Sequence, residues 1–242
     1  MFFDSTIIVI IPAIIFSIIA QIKVSMAFKK YSNIPNRRGI TGGQVAAEIL
    51  QGRGTIAGVE LDKKDLVRSG ILRVTIEGIG GSFTDHYDPS AKVLRLSESV
   101  YDKSTIAAVA VAAHEAGHAL QHAVTYPWLG LRSFSVPFAS VANFAYIPLI
   151  LASIFIPAMF PTFINILIVL YTFVVIFTVV TLPVEFNASR RALLILKEGG
   201  YLAEDELPGA KKVLDAAALT YVAATLAAVL TLVRLFLLRG RN

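Results

Sequence analysis

The sequence predicts a mainly α-helical, membrane-integral fold with about four transmembrane helices, one further helix carrying the run His114-Glu-Ala-Gly-His118, and a small β-element near the cytoplasmic surface. Three observations carry this prediction. Hydrophobic residues make up 55% of the 242 and charged residues only 16%, and the mean hydropathy of +0.68 is foreign to a soluble domain of this size. Four stretches, residues 5–22, 143–160, 162–183 and 216–238, approach the ~20 apolar residues a bilayer-spanning helix needs. The extended polar region lies between the first two of them.

The first stretch has Asp4 rather than basic residues in front of it and no small-residue cleavage motif behind it, so it is expected to be a permanent anchor and not a cleaved leader. Lys23, Lys29, Lys30, Arg37 and Arg38 follow closely, and this excess of positive charge predicts that residues 27–131 are cytoplasmic. Residues 31–38, with Pro35 and Asn36, form a loop. Thr41-Gly-Gly-Gln44 has the form of a capping box and opens a short helix with apolar Val45, Ile49 and Leu50, ending near Gly52 and Gly54.

Residues 71–96 change character. Ile71, Leu72, Val74 and Ile76 are strand-like, Gly78, Gly80 and Gly81 interrupt, and Asp88-Pro-Ser-Ala-Lys92 is a turn leading into Val93-Leu-Arg-Leu96. A hairpin or a three-stranded element is expected there. Ser104 is the expected N-cap of a long helix over 105–124, which alanine makes permissive. Residues 185–215 form a polar connection, helical in part, that stops at Gly199-Gly200 and restarts beyond Pro208.

The net charge of +5 has a topological explanation, because the basic residues flank membrane stretches and do not form the clustered face a nucleic-acid binder needs. The absence of cysteine removes disulfides, thiolate catalysis and thiolate metal ligands together. Any metal must be held by His and carboxylate.

Within 105–124, the spacing of four puts His114 and His118 on one helical face a turn apart, able to grip one zinc ion together. Glu115 projects beside the metal, where a carboxylate can take a proton from water that zinc has acidified and pass it to a leaving amine. Three of the four histidines, His114, His118 and His122, fall within nine residues on an otherwise apolar helix, where unpaired polar groups are costly. That concentration favours a metal site over a satisfied structural cluster.

The third protein ligand is less directly read. Eight residues of helix put His122 about 12 Å from His114, too far for one ion, so His122 is a candidate for the surrounding shell, the substrate side or the interface. Glu185 is the stronger candidate ligand because a carboxylate at the cytoplasmic exit of an apolar stretch needs a partner; its alternative is pairing with Arg190 or Arg191. His86, in a turn, is the other contender, as a ligand or as a group that binds substrate or the transition state.

The blocks Thr84-Asp-His-Tyr-Asp-Pro89, Leu94-Arg-Leu-Ser-Glu98, His114-Glu-Ala-Gly-His-Ala-Leu-Gln-His122, Leu182-Pro-Val-Glu-Phe-Asn-Ala-Ser-Arg-Arg191, Ala210-Lys-Lys-Val-Leu214 and Ala217-Ala-Leu-Thr-Tyr221 resemble the YugP-type neutral zinc metallopeptidases of bacterial membranes. Several blocks in order, over residues 39–221, make the resemblance specific. It implies a zinc-dependent endopeptidase distantly similar to the HtpX and CAAX-prenyl-protease group of membrane gluzincins, whose third ligand is a downstream Glu, carried here by Glu185. Two positions depart from the pattern. Asn187 stands where the family usually has Asp, and Ser189 where the wider group often has Asp, which makes both candidates for the shell behind the ligands.

The expected layout is an N-terminal transmembrane anchor at 1–22, a cytoplasmic or interfacial metallopeptidase region at 23–142, a transmembrane hairpin at 143–183, a cytoplasmic segment with the third zinc ligand at 184–215 and a C-terminal transmembrane helix at 216–242. This delivers Arg239 and Arg241 outside, against the usual bias, because the zinc needs His114 and Glu185 on one side. The function expected is an endopeptidase of the bacterial cytoplasmic membrane, with one Zn2+ per chain, acting on peptide or protein substrates in or beside the lipid bilayer. The rival is a zinc transporter or sensor, which predicts polar ligands on several membrane helices at mid-depth, absent from the second to fourth stretches. The sequence sets no oligomeric state.

Overall fold

The computed structural model describes residues 5–51 and 73–240. The expectations placed on Asp4, Gly52, Gly54, Ile71, Leu72 and Arg241 lie outside these residues. A 3-10 turn at Ser5–Ile10 leads into α1 (Ile11–Tyr31); α2 (Gly42–Leu50), β1 (Thr75–Ile79), β2 (His86–Asp88) and β3 (Val93–Ser97) follow. Four long helices complete the chain: α3 (Ile106–Ala123), α4 (Pro127–Phe155), α5 (Phe160–Glu198) and α6 (Leu207–Arg239).

The fold is mainly helical, and four helical segments, Ser5–Tyr31, Pro127–Phe155, Pro157–Glu198 and Leu207–Arg239, are long and apolar enough to cross a membrane. Three of them outrun the apolar stretches read from sequence, and the second is shifted toward the N-terminus. The second begins at Pro127 and ends at Phe155, where Ile156 and Pro157 break the helix before α5. The third continues without interruption past Pro183 to Glu198, so Glu185 sits inside a helix and not at a helix end as expected. A proline costs one hydrogen bond there, and a helix of 39 residues absorbs it. The stop at Gly199-Gly200 is as expected, with Gly200 at φ +61; α6 restarts at Leu207, with Pro208 in its first turn.

The chain divides into two compact units. The first gathers Met1–Gln21, Gly130–Pro183 and Leu219–Asn242. Inside it Ile164, Leu167 and Leu235 pack together, Phe138 stacks on Phe173 at 5.2 Å, and bulky side chains such as Phe144 and Phe155 face outward, as a lipid-facing surface requires.

The second unit gathers Ile22–Leu129 and Val184–Ala218 and holds everything that positions the site. Thr41 caps α2 with a complete capping box, its hydroxyl accepting from Gln44 N and the Gln44 side chain accepting from Thr41 N. The β-element is a three-stranded sheet in the order β1-β3-β2, with β1 parallel and β2 antiparallel to the central β3. It is therefore no simple hairpin, and Gly78 lies within β1 instead of interrupting it. The turn 88–92 forms as expected, with Asp88 Oδ1 accepting from Ser90 N and Ala91 N. His86 is a β2 residue and not a turn residue.

The N-cap of α3 is Thr105, not Ser104: Thr105 is extended, and its hydroxyl accepts from Ala108 N at 3.3 Å. The small residues of α3 are almost all buried, so neighbouring backbones come close. A Cβ placed on Gly117 would meet the carbonyl oxygen of Ala188 in α5 at 3.0 Å. Leu94 and Leu96 of β3 close the core from the sheet side, with Val45 and Ile49 of α2 beside them.

Candidate metal centre

The site follows from two helices. On α3, one turn separates His114 from His118, and their rings meet edge to face at 4.7 Å. On α5, Glu185 and Ser189 are likewise one turn apart. Contacts pair His114 with Ser189, Gly117 with Ala188, and Gln121 with Val184; residue numbers rise on one helix as they fall on the other, so the helices cross antiparallel here. The close approach at Gly117 brings the carboxylate of Glu185, buried at 1% exposure, against the histidines.

Glu185 Oε2 lies 3.3 Å from His114 Nε2 and 3.6 Å from His118 Nε2. One donor atom from each of the three residues falls within 4.8 Å of the others. Donor atoms around a tetrahedral zinc with bonds of ~2.0–2.1 Å stand about 3.3 Å apart, so the edge from Glu185 to His114 already has the length zinc requires and the edge to His118 is slightly longer. The donor set of two imidazoles and one carboxylate is also that of a catalytic zinc with one position left open.

Both imidazoles are held from behind. His114 Nδ1 is 3.2 Å from Ser189 Oγ, and His118 Nδ1 is 3.0 Å from Gln121 Oε1. With Nδ1–H donating to these oxygens, each Nε2 presents its lone pair toward Glu185. Burial opposes protonation of His118, but the Glu185 carboxylate beside it and the charge of Glu115 outweigh burial and raise its pKa. Proton and metal compete for the same nitrogen.

The other expected residues sort clearly. Glu115 is buried on α3 next to His114, close enough for its charge to act on His118. Ser189 backs His114, in the position where the resemblance anticipated a carboxylate. Asn187 contacts no ligand directly; its Oδ1 accepts from Gln121 Nε2 at 3.0 Å and from Arg191 Nε at 2.7 Å. His122 is exposed, and its Nδ1 shares a hydrogen bond with the Tyr87 hydroxyl at 2.9 Å, joining the end of α3 to β2. Partial covering of the ring and the nearby charge of Lys92 lower its pKa, while burial and Asp88 push Tyr87 up to about 12, so both groups are neutral near neutral pH. His86 Nδ1 is 2.7 Å from Thr84 O, and its Nε2 is 3.4 Å from Arg95 Nη1; neither partner belongs to the cluster. Gln121, fully buried, was missed by sequence reasoning. A polar amide three residues past His118 on an apolar helix was the signal available.

Two helices bring His, His and Glu together, beside an acid next to the first histidine, as a donor set that suits zinc, and comparison with known proteins points to a zinc peptidase family. The chain matches, over residues 6–240, the family described as "Putative neutral zinc metallopeptidase", and it belongs to that family. It is 40% identical over 234 residues, 96% of either chain, to the "Putative membrane protease YugP" of Bacillus subtilis (strain 168). No solved structure gives a significant match.

Proposed function

We propose that this chain is an endopeptidase of the bacterial cytoplasmic membrane that cleaves peptide bonds in membrane or membrane-associated proteins, with its active site on the cytoplasmic side. The convergence of His114 Nε2, His118 Nε2 and Glu185 Oε2 from two helices is the observation that carries this reading. These three side chains would hold one zinc ion. Bound there, zinc supplies Lewis-acid polarisation and makes water acidic enough to react near neutral pH.

In this reading Glu115 is the general base: its carboxylate accepts the proton of the attacking water and returns it to the leaving amine. Ser189 and Gln121 keep the imidazoles in the ligating tautomer. Strand β2 is a sheet edge that pairs with β3 on one side and with no other strand among the described residues. A substrate main chain aligned along that edge would gain affinity from backbone hydrogen bonds without strong sequence preference, and His86 on the same strand is the group proposed to touch substrate. The four apolar helical segments are proposed to cross or enter the bilayer, the second from Pro127 and not from residue 143 as the sequence suggested, and the polar parts of 23–126 with 184–215 to lie on its cytoplasmic side.

The test is Glu115→Gln. The variant should keep zinc and helix content but lose peptide cleavage by at least ~10²-fold, and proteins that accumulate in membranes carrying it should include the substrates. Cleavage at the wild-type rate would move the base elsewhere.

A further inference from the structure

Behind the cluster runs a chain of side chains that the metal centre does not itself require. Gln121 is 0% exposed, yet all its polar atoms are used. Its Oε1 faces His118 Nδ1 at 3.0 Å, and its Nε2 donates to Val184 O at 2.8 Å and to Asn187 Oδ1 at 3.0 Å. Asn187 Oδ1 in turn accepts from Arg191 Nε at 2.7 Å. From this geometry we infer that Gln121 is a positioning residue, which fixes the tautomer and ring orientation of His118 and takes its own orientation from Asn187 and Arg191 on the helix that bears Glu185. The inference rests on the reading of His118 as a zinc ligand.

The polarity of the chain is set at its far end. A guanidinium can only donate, so the Asn187 atom facing Arg191 Nε must be the oxygen. A main-chain carbonyl can only accept, so the Gln121 atom facing Val184 O and that Asn187 oxygen must be the nitrogen. The Gln121 oxygen is then left for His118 Nδ1, which must carry the proton. Every alternative flip sets two acceptors or two donors against each other in a buried site, where each unmade hydrogen bond is costly. The only lone pair left on the His118 ring is that of Nε2, aimed at Glu185.

Two consequences follow. The orientation of a ligand on α3 is tied to α5, so the helices that carry the three donors are held in register by polar contacts as well as by packing. The group backing His118 is also neutral, unlike the carboxylates that usually raise the basicity of a ligating imidazole.

The experiment uses the purified full chain in detergent, titrated with Zn(II) against a competing chelator and with Co(II) for its visible absorption spectrum. Gln121→Met keeps length and apolar volume but neither donates nor accepts. It should weaken zinc binding by about 10- to 100-fold and change the cobalt spectrum. Asn187→Leu, which removes an atom that touches no ligand, should change both readouts in the same direction, and Asn187→Asp, which keeps the acceptor facing Arg191 and Gln121, should retain wild-type zinc affinity. Circular dichroism identifies variants that keep their helix content, and if Gln121→Met does not, the Asn187 pair carries the test. Wild-type zinc affinity and spectrum in a folded Gln121→Met, or Asn187→Asp as weak as Asn187→Leu, would overturn the inference. Zinc retained in His118→Ala would instead overturn the ligand assignment beneath it.

Discussion

A zinc ion held by two imidazoles and one carboxylate depends steeply on each of them, because the remaining two ligands hold a catalytic metal poorly. His114→Ala and His118→Ala should each strip zinc from the purified protein, and Glu185→Ala should lower its affinity by well over the ~10- to 100-fold typical of groups that only back a ligand. His86→Ala should keep zinc and slow turnover. His122→Ala should keep both zinc and most activity, since its partner is Tyr87 and not the cluster. Metal analysis of the five variants checks the set; loss of zinc in His86→Ala with zinc retained in Glu185→Ala would reassign the third ligand. The pair at the end of α3 has its own signature. Burial and Lys92 depress the His122 pKa, so the neutral ring is favoured on folding, and its contribution to stability is present above about pH 6.5 and lost as pH falls through the lowered value. An NMR titration should find His122 below about 6.5, and a value at or above it would contradict burial as the dominant influence.

Among the elements, the crossing of α3 and α5 decides whether the donors meet. Gly117 permits it, since any Cβ there already stands 3.0 Å from a backbone oxygen that cannot rotate away. Gly117→Val should therefore cost about 1–3 kcal/mol through overpacking and should weaken zinc binding in the same variant, because separating the helices withdraws Glu185 from both histidines. Gly130, inside α4, has open space around its Cβ position, and Gly130→Ala should be neutral or stabilising by up to about 1 kcal/mol through helix propensity. Thermal unfolding and zinc titration of the two variants separate crowding at the crossing from a general intolerance of helical glycine replacement. The N-cap of α3 illustrates what local signals leave undecided: Ser104 and Thr105 are adjacent hydroxyls of similar capping value, and only the extended backbone at Thr105, bridged to Pro35, selects one.

For the molecule as a whole, the proposed zinc centre constrains topology. Residues 102 and 204 belong to the same compact unit as the donors, and both are exposed, so they must lie on one side of the membrane if that unit does. The native chain has no cysteine, so single cysteines at Asp102 and Glu204 report without background. Both should be shielded from membrane-impermeant reagents applied outside intact cells and react once the membrane is opened. Labelling from opposite sides would separate Glu185 from the histidines and dissolve the site.

Short-range chemistry was readable from the sequence alone. The pairing of His114 and His118 on one face needs only their helical spacing, the capping box only Thr41 and Gln44, and the membrane character only composition and run length, because each interaction spans at most a few residues of chain or sums over many. Glu185 was legible as a costly acid at the edge of an apolar stretch, though not as a residue inside an unbroken helix, since continuity across Pro183 depends on what packs around it. The parallel pairing of β1 with β3, the antiparallel crossing of α3 and α5, the serine behind His114 and the amide relay from Arg191 to His118 were decided only by the tertiary structure. These contacts join residues that are distant in sequence, and a hydrogen bond or a close backbone approach is set by ångström-scale distances that no local spacing encodes.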